Sequence, residues 1–311
     1  MKKSVFARSF AILLISCIFC SILSECGSSS KSSSSEPPVY SPLRVLVPEA
    51  PGSDTLGSSP LTLDVSNITQ GYFAAQSDSA DLVTSLQITA PTGVLYSYFI
   101  EPGENAVIPF TEGDGDYTVV GYQQIQGDQY AALYSETLTV ELENEFLPFL
   151  YPNQYVNFSP DSEASKLALS MVSENTSDID ALKQIYNYVV NNLSYDYDKA
   201  ETVETGYLPD VDETLSTKTG ICFDYAALTT AMLRSCDIPC KLQIGYTGDI
   251  KHAWIDVYIR SKGWVTNAVS FNGDSWSLMD PTFDSSADSD DSEAIQDYIG
   301  NADNYTVQFT R

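Results

Sequence analysis

From about Leu43 to Leu150, apolar residues fall on alternate positions in short runs that turn residues interrupt. Leu61, Leu63 and Val65 form one run and Leu138, Val140 and Leu142 another; Pro91-Thr92-Gly93, Pro102-Gly103 and Gly113-Asp114-Gly115-Asp116 lie between such runs. Alternation gives a strand one face for a core and one for water. With turns every ~8–12 residues over about a hundred residues, it predicts an antiparallel β-sandwich, taken as immunoglobulin-like. Residues 43–152 are accordingly assigned to an all-β domain. No nucleophile, base and acid gather in it, so it reads as a spacer or recognition module.

After Pro152 the apolar period lengthens. Residues 162–173 predict a helix. Ser177 with Asp180 three positions on makes a capping-box start for a second helix, with Leu182, Ile185, Val189 and Leu193 on one stripe. A long loop is expected from Tyr195 to Asp212. A buried helix is expected from Cys222 to about Arg234, stopped by Pro239. Strand-like segments follow at 241–246, 252–259, 264–269, 276–279 and 305–309. Helices first and strands afterwards predict an α+β domain, helices packed on an antiparallel sheet, over residues 153–311.

The first 24 residues change the setting. Lys2, Lys3 and Arg8 precede the apolar run Phe10–Leu23, which is shorter than the ~20 residues of a membrane-spanning helix and reads as a signal peptide over residues 1–25. Leu23-Ser24-Glu25-Cys26-Gly27 resembles a bacterial lipoprotein signal, in which the cysteine is acylated and becomes the mature N-terminus. Glu25 stands where that pattern has a small residue. Cys17, after Leu14-Ile15-Ser16, matches better locally but lies early in the apolar run. The expectation is a cell-surface lipoprotein anchored at Cys26, with ordinary secretion or an uncleaved anchor as the alternatives; residues 26–42 form a flexible Ser/Pro-rich linker.

Composition removes several classes. Lys and Arg number 15 against 42 Asp and Glu, a net charge of -27. Such a surface repels phosphate backbones and anionic headgroups, so nucleic-acid binding is excluded and membrane contact is left to the lipid anchor. A hydrophobic fraction of 43% with 20 Tyr and 13 Phe excludes a disordered chain. A single histidine excludes multi-histidine metal sites, and no cofactor or metal is implied. Asp284 to Asp291 lacks the glycine and terminal glutamate of an EF-hand and reads as a solvated acidic loop.

Three residues carry candidate chemistry. Cys222 begins a predicted helix, where unpaired N–H groups and the positive dipole end favour a thiolate and can serve an oxyanion; the bland reading is a small core residue. His252 opens His-Ala-Trp-Ile-Asp-Val-Tyr-Ile, and alternation puts Ala253, Ile255, Val257 and Ile259 toward the core and His252 on the opposite surface. It is the only imidazole available as a base, though structural histidines are common. Asp280 ends the strand starting at Trp276 and can accept the histidine Nδ1 proton from an adjacent strand, against the alternative of ordinary Asp-Pro turn chemistry. Asp256 lies four residues along His252's own strand, out of reach at ~3.3 Å per residue. Cys236 and Cys240 flank Asp-Ile-Pro and are read as packed thiols, with a local disulfide as the alternative.

The run from Gly220-Ile-Cys-Phe-Asp-Tyr-Ala to Tyr246, then His252-Ala-Trp, Gly263-Trp264 and Asp280-Pro-Thr-Phe283, resembles the core of the transglutaminase-like superfamily over roughly residues 160–311. The upstream β-domain and Tyr151-Pro-Asn-Gln-Tyr155 also resemble bacterial members. The resemblance implies a papain-like α+β core with Cys222 as nucleophile, His252 as general base and acid, and Asp280 as orienter. It implies an aromatic oxyanion donor near Tyr195 or Tyr197. The implied activity is acyl transfer on glutamine carboxamides or peptide bonds through a thioester, ending in transamidation or hydrolysis. The competing class is a non-catalytic surface binding or assembly protein on the same scaffold. The expected partners are protein or peptide substrates, favoured by the acidic surface where they are cationic or lysine-rich.

Overall fold

The computed structural model describes residues 45–173, 175–271, 276–278 and 305–311. The proposed signal peptide, Cys26, the linker to residue 42, Asp280 and the 284–291 segment lie outside them.

The alternating half forms two antiparallel four-stranded sheets. One contains β1 (Thr55–Ser58), β2 (Leu61–Asp64), β3 (Tyr72–Ser77) and β6 (Asn105–Pro109), ordered β1-β2-β3-β6; the other contains β4 (Thr84–Thr89), β5 (Leu95–Ile100), β7 (Gly115–Gln126) and β8 (Gln129–Val140), ordered β5-β4-β7-β8. Leu61, Leu63, Phe73 and Ile108 from the first sheet and Leu86, Tyr98, Val119 and Leu138 from the second share one buried cluster. Their alternate neighbours along each strand face outward, as the period of two requires.

The second half is α+β. Helices α1 (Glu163–Met171) and α2 (Asp178–Asn192) are followed by the short strand β9 (Ser194–Tyr195), α3 (Tyr197–Thr202), α4 (Val211–Thr217) and β10 (Thr219–Gly220). Then come α5 (Cys222–Ser235) and strands β11 (Cys240–Thr247), β12 (Ile250–Ile259), β13 (Gly263–Phe271), β14 (Trp276–Leu278) and β15 (Tyr305–Thr310), which form an antiparallel sheet ordered β14-β13-β12-β11-β15. The Ser177 hydroxyl caps α2 by accepting the Asp180 N–H at 3.1 Å.

The expected loop from Tyr195 to Asp212 instead holds α3 and the start of α4. Asp196 accepts the Lys199 N–H at 2.8 Å and Asp210 the Glu213 N–H at 2.9 Å. These caps nucleate helices too short to show an apolar stripe, which is why periodicity missed them.

Helix α5 is buried around its circumference. Ala227, Leu228, Ala231 and Met232 share one cluster with Ala181, Leu182 and Ile185 of α2 and with Ala253, Ile255 and Val257 of β12. At its end the buried Arg234 guanidinium donates to the carbonyls of Tyr151 (2.8 Å), Cys240 (2.8 and 3.0 Å) and Arg311 (2.9 Å). One cation thus ties α5 to the segment between β8 and α1 that holds Tyr151, and to the ends of two strands. Arg311 fills a cage of Tyr96, Tyr98, Tyr155 and Phe309, 4.2 Å from the Tyr155 centroid, and donates to the Tyr98 hydroxyl at 2.7 Å.

Candidate active site

Helix α5 begins at Cys222 because the chain before it is held in two ways. β9 and β10 pair in parallel, Ser194 with Thr219 and Tyr195 with Gly220, and the Asp196 N–H donates to the Gly220 carbonyl at 2.9 Å. Ile221 at the N-cap has no side-chain acceptor, so the cap comes from inside the helix: the Asp224 carboxylate accepts the Ile221 N–H at 2.8 Å. Gly220 permits this, since a Cβ there would lie 2.7 Å from Asp224 Cβ. Asp224 is fully buried, and Lys199 Nζ reaches its Oδ2 at 2.8 Å while the Tyr207 hydroxyl donates to Oδ1.

The Cys222 thiol is half-buried and lies against the backbone N–H groups of Ala253 and Phe223. Burial pushes the thiol up from its ordinary value, and those N–H groups pull it back only in part. The thiolate preference expected of a helix start is therefore outweighed by desolvation. The β9–β10 ladder brings the Tyr195 hydroxyl against the same thiol and the Cys222 N–H; burial, reinforced by Cys222, pushes Tyr195 up to about 12. The structure separates the two candidate tyrosines. Tyr197 is 57% exposed and packs edge-on to Tyr195, with ring centroids 4.9 Å apart.

His252 lies with Trp254 on the face of its strand opposite the aliphatic one, as alternation predicts. Its strand puts Ala253, Ile255 and Val257 against α5, as alternation requires, but the other face is covered as well. Trp254 packs on Tyr305 at 5.2 Å between centroids and Tyr258 on Phe146 at 4.4 Å. His252 is only 7% exposed and stacks with Trp254, centroids 6.1 Å apart. Burial pulls the imidazole down to about 4, so it is neutral at physiological pH. The thiol and the histidine strand meet where the helix starts: the N–H that reaches Cys222 belongs to the residue after His252.

Asp256 accepts from Gln243 Nε2 at 2.8 Å, and Gln243 Oε1 accepts the Thr310 hydroxyl at 2.8 Å, so this carboxylate is held in the sheet. Cys236 and Cys240 are free, buried thiols, and burial pushes both up to about 12. Among the described residues no group of His, Cys, Asp or Glu is arranged to hold a metal ion. Sequence reasoning missed Lys199, Asp224 and Tyr207 as members of the site. The Ile221-x-x-Asp224 spacing carries a capping signal; nothing local marks the other two.

A cysteine at a helix mouth, set against a histidine strand and a tyrosine hydroxyl, defines a candidate thiol enzyme. The family model described as the transglutaminase-like superfamily matches residues 165–281, and the chain carries a domain of that superfamily. The chain is similar to UPF0252 protein MJ1282 of Methanocaldococcus jannaschii, 40% identical over 62 residues that make 18% of each chain. It is similar to the uncharacterized protein YebA of Bacillus subtilis, 24% identical over 183 residues, 51% of this chain and 25% of YebA. It therefore spans a quarter or less of the length of these relatives.

Two solved structures are also similar. A candidate cysteine protease from Cytophaga hutchinsonii is 19% identical, with TM-score 0.34, over 63% of this chain and 73% of that one. A candidate protease from Parabacteroides distasonis is 11% identical, with TM-score 0.29, over 66% and 63%. The mixed fold of sheets and few helices is consistent with a transglutaminase-like core. The family match over residues 165–281 supports a cysteine enzyme in the general sense.

Proposed function

We propose that the protein is an exported, lipid-anchored acyl-transfer enzyme that acts on glutamine carboxamides or peptide carbonyls through a Cys222 thioester. The observation that carries the reading is the placement of the Cys222 thiol against both the Tyr195 hydroxyl and the N–H following His252. His252, neutral at rest, takes the thiol proton as sulfur attacks the carbonyl carbon. The oxyanion is met by the Tyr195 hydroxyl and the Cys222 N–H, and collapse expels the amine, or ammonia from a carboxamide, with the proton returned by the imidazolium. Asp280 orients the imidazole. An amine or water then attacks the thioester, gives its proton to His252 and releases the thiol.

The preceding sheets serve recognition as an immunoglobulin-like sandwich. The strand orders support this, as does the Tyr117 hydroxyl, which donates to the Gly113 carbonyl four residues upstream at 2.8 Å.

Mass spectrometry of glutamine-containing peptides incubated with the enzyme, with and without an added primary amine, tests the reading. Amine-dependent mass gain marks transamidation and cleavage or deamidation marks hydrolysis. Products equally abundant with Cys222→Ala overturn it.

A further inference from the structure

The edge of the β-sandwich holds a groove that the proposed chemistry does not use. Strand β6 ends its sheet. The Ser77 N–H donates to the Glu104 carbonyl, and the Gln154 N–H to the Val107 carbonyl. Because backbone groups alternate in direction along a strand, those of Asn105 and Val107 point away from the sheet. Beside this edge lies a cavity of about 280 Å³ lined by Val47, Glu104, Asn105, Asn153, Phe158 and Leu208 among others. A second, of about 290 Å³, shares Pro48, Asn105, Ala106 and Val107 with it and continues past Glu49 and Asp64.

Three features describe what would fill it. Neither cavity is lined by Lys or Arg, whereas Glu49, Asp64 and Glu104 line them. Val47 and Leu208 are exposed apolar side chains in its walls. Asn153 is only 3% exposed, and its Oδ1 accepts the N–H groups of Tyr155 (2.9 Å) and Val156 (3.0 Å), which fixes the amide. Its Nδ2 has no acceptor among the described residues. An unmet buried donor is uncommon, and this one belongs to a residue in the cavity wall.

We propose that this groove binds an extended polypeptide segment bearing lysine or arginine. Main-chain groups of the segment meet the outward N–H and carbonyl of Asn105 and the N–H of Val107, whose carbonyl Gln154 already holds; its apolar side chains cover Val47 and Leu208, and its cationic side chains lie among Glu49, Asp64 and Glu104. Leu208 follows Tyr207, which is bonded to Asp224 two residues beyond Cys222, so the chain that forms this groove wall is tied to the active-site helix. That the bound segment is the enzyme's substrate rests on the proposed function; the groove itself does not.

The test uses the full chain carrying Cys222→Ala, so that binding is read without turnover. Fluorescence anisotropy compares a labelled decapeptide of alternating threonine and lysine with its glutamate and glutamine counterparts, and hydrogen exchange maps the site. The lysine peptide is expected to bind at least tenfold more tightly than the others and to protect the Asn105 and Val107 amides. Combined Glu49→Lys and Glu104→Lys is expected to weaken it at least tenfold, whereas Asp81→Lys with Asp128→Lys, of equal charge change, leaves affinity within twofold. Equal weakening by both pairs, equal affinity for all peptides, or protection elsewhere overturns the groove. Binding as expected alongside a wild-type enzyme that forms no product would leave the groove standing and remove the catalytic reading.

Discussion

Lys199 Nζ stands 2.8 Å from the buried Asp224 carboxylate, which itself caps the helix carrying Cys222. The pair joins α3 to α5 across 25 residues of sequence. Removing Lys199 alone leaves a desolvated carboxylate under the helix start. Lys199→Met is therefore expected to destabilise the fold by about 3 kcal/mol, near the low end for a broken buried pair because the lysine keeps some water contact. The double variant with Asp224→Asn should recover part of the loss. Urea unfolding midpoints at unchanged slope measure both.

The pH dependence of stability has a definite sign at His252. Burial lowers its folded-state value from 6.5 to about 4. Between those values the unfolded chain binds more protons, so this stabilisation is complete above the unfolded value and is lost as pH falls toward about 4. It amounts to roughly 3 kcal/mol. Replacing the imidazole with a group that does not titrate, His252→Gln, should flatten that part of the curve. Unfolding both proteins across this window isolates it from the carboxylates that titrate nearby.

The three described cysteines differ in reach. Iodoacetamide should label Cys222 in the native protein, while Cys236 and Cys240, fully buried and pushed up to about 12, react only after unfolding. Because burial also raises the Cys222 thiol, its labelling rate should keep rising with pH above neutrality. Peptide mapping after timed labelling reads both outcomes.

Tyr195 and Tyr197 are two residues apart and should behave unalike. Tyr195→Phe removes a hydroxyl lying against Cys222 and is expected to lower kcat about 100-fold with little change in KM. Tyr197→Phe, altering an exposed ring, should stay within twofold of wild type. Steady-state kinetics on a glutamine peptide separates them.

Much of the architecture was legible because it is written in short-range pattern. Alternation at Leu61-x-Leu63 and Leu138-x-Val140 identified strands, and Ser177 with Asp180 marked a helix start. The position of Cys222 before an apolar stretch put it at a helix mouth. Such signals depend only on backbone periods and on groups within one turn of each other, so one dimension suffices to read them.

What tertiary structure alone decided is longer in range. The β9–β10 pairing selects Tyr195 over Tyr197, and Tyr305 with the Phe146 connector covers the strand face that alternation by itself left open around His252. Lys199 finds Asp224, and Arg234 joins the nearby Cys240 carbonyl to those of two distant residues, Tyr151 and Arg311. Burial then reverses the simplest electrostatic expectation at Cys222, because desolvation is set by everything packed around a group and not by its neighbours in the chain.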